Sequence, residues 1–253
     1  MKIQKTIGVI ATLAIASTLA AAHAAKNVEA DAVATVTGQA LFDGKVPEAK
    51  PLTIAVDAAQ GCCADDEKVN PTDMSLLIHK DGGLANVVLE ITIKGQKPKV
   101  NEKPIVLDQS KCRFDPHVIV LPVGGEVSYL NSDTVSHNIH SFATKNEGVN
   151  KTVAGGKDMK QTFGKAETIK VICDLHTWMT SYIVVSDATF TAISDAEGNF
   201  SFEGVPAGTH KVEYWHETLG KAKADVTIAE DGTSEAVQVK MSEKKKTSRR
   251  RRR

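Results

Sequence analysis

Four side chains in this sequence carry donor atoms in a pattern that suits a soft transition-metal ion. Cys173, His176 and Met179 fall in one short run, Cys173-Asp-Leu-His176-Thr-Trp-Met179, with the spacing Cys-x2-His-x2-Met. A second imidazole, His137, stands 36 residues before the cysteine in Ser136-His137-Asn138-Ile139-His140. One thiolate, two imidazoles and a thioether are the ligand set of a mononuclear copper site, with three ligands in a plane and the thioether weakly axial. Soft sulfur stabilises Cu(I) and imidazole accepts Cu(II), so a rigid geometry between the two preferences eases one-electron transfer. Taken singly, each residue has an ordinary explanation: Cys173 as a buried apolar thiol, Met179 as a core gap-filler, His137 as a surface histidine. Together they favour copper. Structural zinc is the rival, but it takes paired Cys-x2-Cys or His-x3-His hooks and no thioether, and neither hook surrounds residue 173.

The elements that must position these groups read as strands. No apolar 3.6-residue period persists over twelve or more positions, whereas short alternating runs bounded by Asp, Gly and Pro recur along the chain. Strands are predicted at 34–42, 84–93, 168–173, 181–185, 190–193, 199–202, 210–215 and 224–228. A hairpin is predicted from 118–123 and 126–130 around Gly124-Gly125. Alternation places Ile169, Val171 and Cys173 on one strand face, so the thiol points inward at the strand's end. His176 and Met179 then fall on the loop before the strand at 181–185. Residues 56–72 read as a long irregular loop. The fold class is all-β, built from sandwiches.

Composition bounds the rest. The 253 residues hold 31 basic and 31 acidic side chains. Eight of the basic ones crowd the last ten positions and two lie near the N-terminus, leaving residues 25–243 with 21 basic against 31 acidic. An acidic body argues against nucleic acid as a partner. Residues 1–24 read as a secretory signal: Lys2 and Lys5, an apolar stretch from Ile7 to Ala22, and a cleavage site at Ala22-His23-Ala24. The apolar stretch is too short to span a membrane, and no later segment is long enough. The mature chain is therefore expected in the periplasm or secreted, with no transmembrane segment. Cys62, Cys63 and Cys112 would meet an oxidising space, where Cys112 could pair with either of the other two. The Lys/Arg tail from 242 to 253 reads as a disordered, solvated end.

At the level of motif, residues 101–187 resemble a cupredoxin, most closely the amicyanin and pseudoazurin group. The matching stretches are Ile105-Val-Leu-Asp108, Cys112-Arg-Phe-Asp-Pro-His117, Val123-Gly-Gly-Glu-Val-Ser-Tyr-Leu-Asn131, Ser136-His-Asn-Ile-His-Ser-Phe142, Gln161-Thr-Phe163 and the Cys173–Met179 run. The resemblance implies a Greek-key sandwich with His137, Cys173, His176 and Met179 as ligands to type 1 copper, Cu(I)/Cu(II). It implies that Asn138 ties the two ligand loops together, and that His176 is the electron's exit if its ring edge reaches the surface. Trp178 is expected to be partly exposed beside that edge, in a small apolar docking patch. Asp174-Leu175 departs from the family, which often has a Pro before the second His. A carboxylate there would favour Cu(II) and lower the potential.

The segment 188–241 resembles a carboxypeptidase regulatory-like, transthyretin-type β-sandwich, through Asp195-Ala-Glu-Gly198, Phe200, Phe202 and Pro206-Ala-Gly208. The segment 33–98 is similar to the first strands of that module, so the two stretches are expected either to form one discontinuous sandwich around the cupredoxin or to follow it in simple tandem. The whole arrangement resembles exported bacterial proteins labelled methylamine-utilisation-like. The expectation is a non-enzymatic electron carrier working with a c-type cytochrome or a periplasmic dehydrogenase, its acidic body steering a basic partner. A copper carrier or buffer, and an envelope-binding protein with a structural cupredoxin fold, are the alternatives. A copper oxidase or nitrite reductase would need further histidine pairs of the His-x-His type, which the sequence lacks. His140 is expected to be structural or exposed, and His117, His210 and His216 to form a second metal site only if the fold gathers them.

Overall fold

Alternation of apolar and polar residues governs the backbone, and among the described residues of the computed structural model every regular element but one 3-10 turn, Asp57–Ala59, is a strand. The structure describes residues 33–49, 51–63 and 68–243. The expected leader and the basic part of the tail lie outside the described residues.

The described residues open with β1 (Val33–Phe42) and, after a long irregular stretch, β2 (Val88–Ile91). Nine strands follow: β3 (Ile105–Ser110), β4 (Arg113–Asp115), β5 (Val118–Pro122), β6 (Glu126–Asn131), β7 (His137–Ser141), β8 (Asn150–Val153), β9 (Asp158–Thr162), β10 (Glu167–Ile172) and β11 (Thr180–Ser186). The last five are β12 (Phe190–Ile193), β13 (Asn199–Pro206), β14 (Gly208–His216), β15 (Gly220–Ile228) and β16 (Val237–Met241). All-β is thus the fold class, as the sequence predicts.

Four sheets arise from these strands. The middle stretch makes a five-stranded sheet, β5-β11-β10-β7-β8, and a four-stranded one, β4-β3-β6-β9. They share a core that includes Leu107, Tyr129, Ile139, Phe163, Ile169 and Val171, none of them exposed. Burying each such side chain stabilises the fold by about 1.5–3 kcal/mol. The first two and last five strands make the sheets β13-β1-β16 and β12-β2-β14-β15 around a second core with Leu84, Leu89, Ile91, Phe202, Val212 and Val239. In the first of these, β1 lies antiparallel to β13, with Val36 opposite Phe202, and parallel to β16, with Gly38 opposite Val237.

The strands β5 and β11 do not alternate cleanly, and the reason is packing. Ile119, Leu121, Ile183 and Val185 face the first core. Val118 and Val184, on the other face, meet Val88 of β2, with Ile193 and Trp215 alongside. Strands covered on both faces read as continuous apolar runs.

Two expectations about elements are corrected. The pair 118–123 and 126–130 is no hairpin: β5 pairs with β11, whereas β6 pairs with β3 and β9 in the other sheet. Gly124, at φ 90°, and Gly125 carry the chain across the core, the Gly124 N–H bonding to the Phe163 carbonyl. The strand expected at 84–93 shortens to β2, because Asn86 sits at φ 61° and breaks it. Ahead of that break Leu84 bonds through its N–H to the Ala40 carbonyl.

Glu167, at the start of β10, anchors the loop after β7. Its carboxylate accepts hydrogen bonds from the Thr144 N–H and hydroxyl, the Lys145 N–H, and the Asn146 N–H and side-chain amide. Slight burial opposes ionisation, but these donors outweigh it and bring the carboxyl down to about 2. The folded chain therefore holds this proton less readily than the unfolded chain. The resulting stabilisation is complete above about pH 4.5 and lost as pH falls toward 2. Glu167→Gln is expected to lower the urea midpoint at pH 7, the gap from the parent narrowing to nothing near pH 2. A gap independent of pH would show that the carboxylate charge has no part in it.

Candidate metal centre

His137 opens β7 and is fully buried. Its Nε2 faces the Asp133 Oδ2 at 2.7 Å and its Nδ1 faces the His176 Nδ1 at 2.9 Å. The carboxylate fixes the proton on Nε2 and aims the Nδ1 lone pair at the centre. Burial pulls the ring's pKa down, but Asp133 and the Cys173 sulfur outweigh it and raise it to about 9.

The same carboxylate holds the neighbouring hairpin. Lys111 and Cys112 form the two-residue turn between β3 and β4, both at positive φ (51° and 50°). Such a turn suits the strand twist but is costly for residues with a Cβ. Asp133 offsets that cost: its Oδ1 accepts the Lys111 N–H at 2.6 Å and its Oδ2 the Cys112 N–H at 2.8 Å. Burial works against its ionisation, yet the bonds from His137, Cys112 and Lys111 leave the carboxyl below its ordinary range. Asn131, fully buried, sets Asp133 in place by accepting its N–H, while donating to the Val135 and Val153 carbonyls.

Cys173 follows β10 and is fully buried, as are Ile169 and Val171 before it. The loop from Cys173 closes tightly. The Met179 N–H bonds to the His176 carbonyl at 2.9 Å, and the Cys173 N–H to the Met179 carbonyl at 3.3 Å. Closure turns His176 back toward the cysteine, its Nδ1 3.7 Å from Sγ. Donor atoms of His137, Cys173 and His176 all lie within 4.8 Å of one another. Burial pushes the Cys173 thiol up, but bonds from His137 and from the N–H groups of Asn138, His176 and Leu175 bring it below its usual range. Met179 is fully buried in the same core.

The donor set fits a cation. Two Nδ1 atoms face each other at 2.9 Å, and the His137 Nε2 proton is already engaged by Asp133. Bonds of about 2.0 Å to nitrogen and 2.3 Å to sulfur, typical of a bound transition ion, are compatible with these separations.

Asn138 joins the two ligand-bearing segments. Its Oδ1 accepts the Asp174 N–H at 2.6 Å, and its Nδ2 donates to the Asp174 Oδ2 and the Asn150 Oδ1. The Asp174 carboxylate also meets His140 at 3.0 Å and the Asn150 amide. These partners, His140 foremost, hold its carboxyl below the usual range. The charge that the sequence places next to the thiolate is thus directed at His140, which also stacks on Phe142.

His176 is nearly buried, at 7% exposed. One sequence expectation fails here: Trp178 is no exposed docking aromatic, at 8% exposed. Its ring packs edge-on to His176, and its Nε1–H donates to the Cys112 carbonyl at 2.9 Å. The cause is the irregular segment ahead of β2, which carries Cys62. Cys62 and Cys112 form a disulfide, with Cα atoms 5.2 Å apart, and their sulfurs lie within 4.8 Å of a His176 ring nitrogen. The Cys112 sulfur also lies within 4.8 Å of donor atoms of Asp133 and His137.

Sequence reasoning passed over Asp133; it left the partner of Cys112 open between Cys62 and Cys63 and did not place the disulfide against His176. An Asx-rich turn, Asn131-Ser-Asp133, four residues before His137 is the one signal that could have found that aspartate. His117 and His216 lie close enough to interact, with Glu217 beside both, whereas His210 is engaged elsewhere. His117 pairs with Glu217 in a nearly buried contact, His210 meets the Pro206 carbonyl at 2.8 Å, and the buried His216 accepts the Thr218 N–H. Among the described residues the three form no common donor cluster.

No family model matches the chain, and no curated protein matches it. Solved structures do. A copper(I) amicyanin variant is 23% identical, with 38% of this chain and 99% of that one covered and a TM-score of 0.32. A purple cupredoxin from Nitrosopumilus maritimus is 22% identical over 32% of this chain and 99% of that one, TM-score 0.29. The copper-containing nitrite reductase of Thermus scotoductus SA-01 is 20% identical over 38% of this chain, TM-score 0.32, and the match spans 25% of the reductase.

Proposed function

We propose that this chain is a type 1 copper protein that carries single electrons, in which His137, Cys173 and His176 would hold the ion strongly and Met179 weakly. The observation that carries the reading is the convergence of one thiol and two imidazole Nδ1 atoms in a buried pocket, with one imidazole's tautomer fixed by Asp133. Bound copper would supply a one-electron Cu(I)/Cu(II) couple, and a thiolate–imidazole–thioether set suits both states. The protein's own contribution is rigidity. Asp133 fixes the His137 ring, Asn138 clamps Asp174 beside the thiol, and the closed Cys173–Met179 loop limits how far the donors move between states. Burial excludes water from the donors.

In this reading residues 101–187 are the cupredoxin domain, and 33–98 with 188–241 form the flanking, transthyretin-like sandwich. The protein works in the periplasm or outside the cell, with a redox protein such as a c-type cytochrome as partner. It has no reaction of its own to catalyse.

Titration of the purified protein with Cu(II), followed by visible absorption, tests the assignment. An intense band near about 600 nm is expected, and Cys173→Ser is expected to abolish it, because the band belongs to the thiolate–copper bond. Copper bound with no such band would sink the type 1 assignment and favour a carrier.

A further inference from the structure

The wall behind His176 is itself a pair of latent ligands. Cys62, Cys112 and His176 are all buried, and their sulfur and ring-nitrogen atoms lie within 4.8 Å of one another. Joined as a disulfide, the sulfurs are poor donors; as thiolates they are the strongest donors a protein offers a soft ion. Both cysteines are also held by more than the bond between them. The Cys112 N–H is bound by Asp133 and its carbonyl by Trp178, while Cys62 and its neighbours Leu52, Ile54 and Val69 pack into the first core. Cleaving the S–S bond would therefore leave two thiols facing the same imidazole.

We propose that Cys62, Cys112 and His176 form a second, reduction-dependent site for a thiophilic ion such as Cu(I), sharing the His176 ring with the first. The inference rests on the preceding assignment only in taking His176 as a ligand common to both. A dithiol reductant supplies the electrons. One of its thiolates attacks a cysteine sulfur, breaking the Cys62–Cys112 bond. Its second thiol then displaces the mixed disulfide, so the reductant leaves oxidised and the protein gains two thiols. Binding of Cu(I) releases the thiol protons to solvent and changes no oxidation state. The disulfide thereby sets whether His176 faces one thiolate, that of Cys173, or also the Cys62 and Cys112 pair.

The test uses the full-length chain carrying Cys173→Ser, which removes the first site's thiolate. Cu(I), added anaerobically as its acetonitrile complex, competes with bicinchoninate for the oxidised protein and for protein reduced with a phosphine and desalted. Reduction is expected to tighten Cu(I) binding by about a hundredfold and to add a near-ultraviolet thiolate–Cu(I) band. The gain should vanish in a further Cys62→Ser, Cys112→Ser variant and survive Cys63→Ser. Equal affinity in both redox states overturns the proposal. So does a gain that persists without Cys62 and Cys112, or a reduced protein that has lost its near-ultraviolet circular dichroism, since only the fold holds His176 there. The unsubstituted protein's visible band reports the first site separately, so either assignment can fail alone.

Discussion

Asp133→Ala is expected to weaken metal binding by about 10–100-fold, the usual cost of losing a group that orients a ligand. The carboxylate accepts from three donors at once: the His137 Nε2–H and the backbone N–H groups of Lys111 and Cys112. Alanine would leave the imidazole of a fully buried histidine free to carry its proton on either nitrogen, and one of those tautomers blocks Nδ1. It would also remove the acceptor that Asp133 provides to the N–H groups of two left-handed residues. Hydrogen bonds to a charged group contribute about 1.5–3 kcal/mol each. A loss of about 3 kcal/mol in urea denaturation of the metal-free protein is therefore the companion result. Asp133→Asn should recover part of the stability, since its carbonyl can still accept, but less of the affinity. Copper competition against a chelator reads the first effect. An affinity within twofold of the parent would mean that His137 is oriented by packing alone.

Gly83→Ala is expected to destabilise the chain by about 3 kcal/mol, at the upper end of the overpacking range, while leaving copper affinity unchanged. A Cβ on Gly83 would stand 1.9 Å from the Glu197 carbonyl oxygen and 2.4 Å from its carbon. Both are backbone atoms, held where the Ala40 N–H bonds to the Gly198 carbonyl and Leu41 bridges Gly83. No rotamer relieves the contact; a strand has to move. Gly83 belongs to the second core's region and touches none of the donor-bearing loops, so the two readouts should part. A destabilisation below about 1 kcal/mol would show that the turn at 195–198 yields easily.

The ease with which parts of this molecule were read follows from how local their causes are. Strand alternation in β1, β10, β13 and β14 is written residue by residue, so the all-β class and the inward aim of Cys173 are legible. Cys173, His176 and Met179 share one loop whose closure depends on its own backbone. What escaped is non-local. Whether β5 and β6 form a hairpin depends on which sheet each joins, and a Gly-Gly turn serves either case. The exposure of His176 depends on a segment more than a hundred residues upstream that lies over it through Cys62. Asp133 looks like any turn aspartate until the 111–112 turn arrives at its carboxylate.

The pairing of β1 with β13 and β16 sets an order of assembly. Val36 must find Phe202, and Gly38 must find Val237, across the whole intervening chain. Closing so long a loop in an unfolded polymer is slow, and it leaves apolar strand edges open to other chains meanwhile. The intervening residues shorten that search once they have folded, because Ile91 and Phe190 at their two ends lie opposite each other in the β2–β12 ladder. The sandwich of β3 to β11 thus acts as a folded clasp that delivers the outer strands to their partners. A substitution that slows its collapse should delay the outer sandwich as well, and a nascent chain would hold β1 and β2 without their ladder partners until β12 and β13 are made.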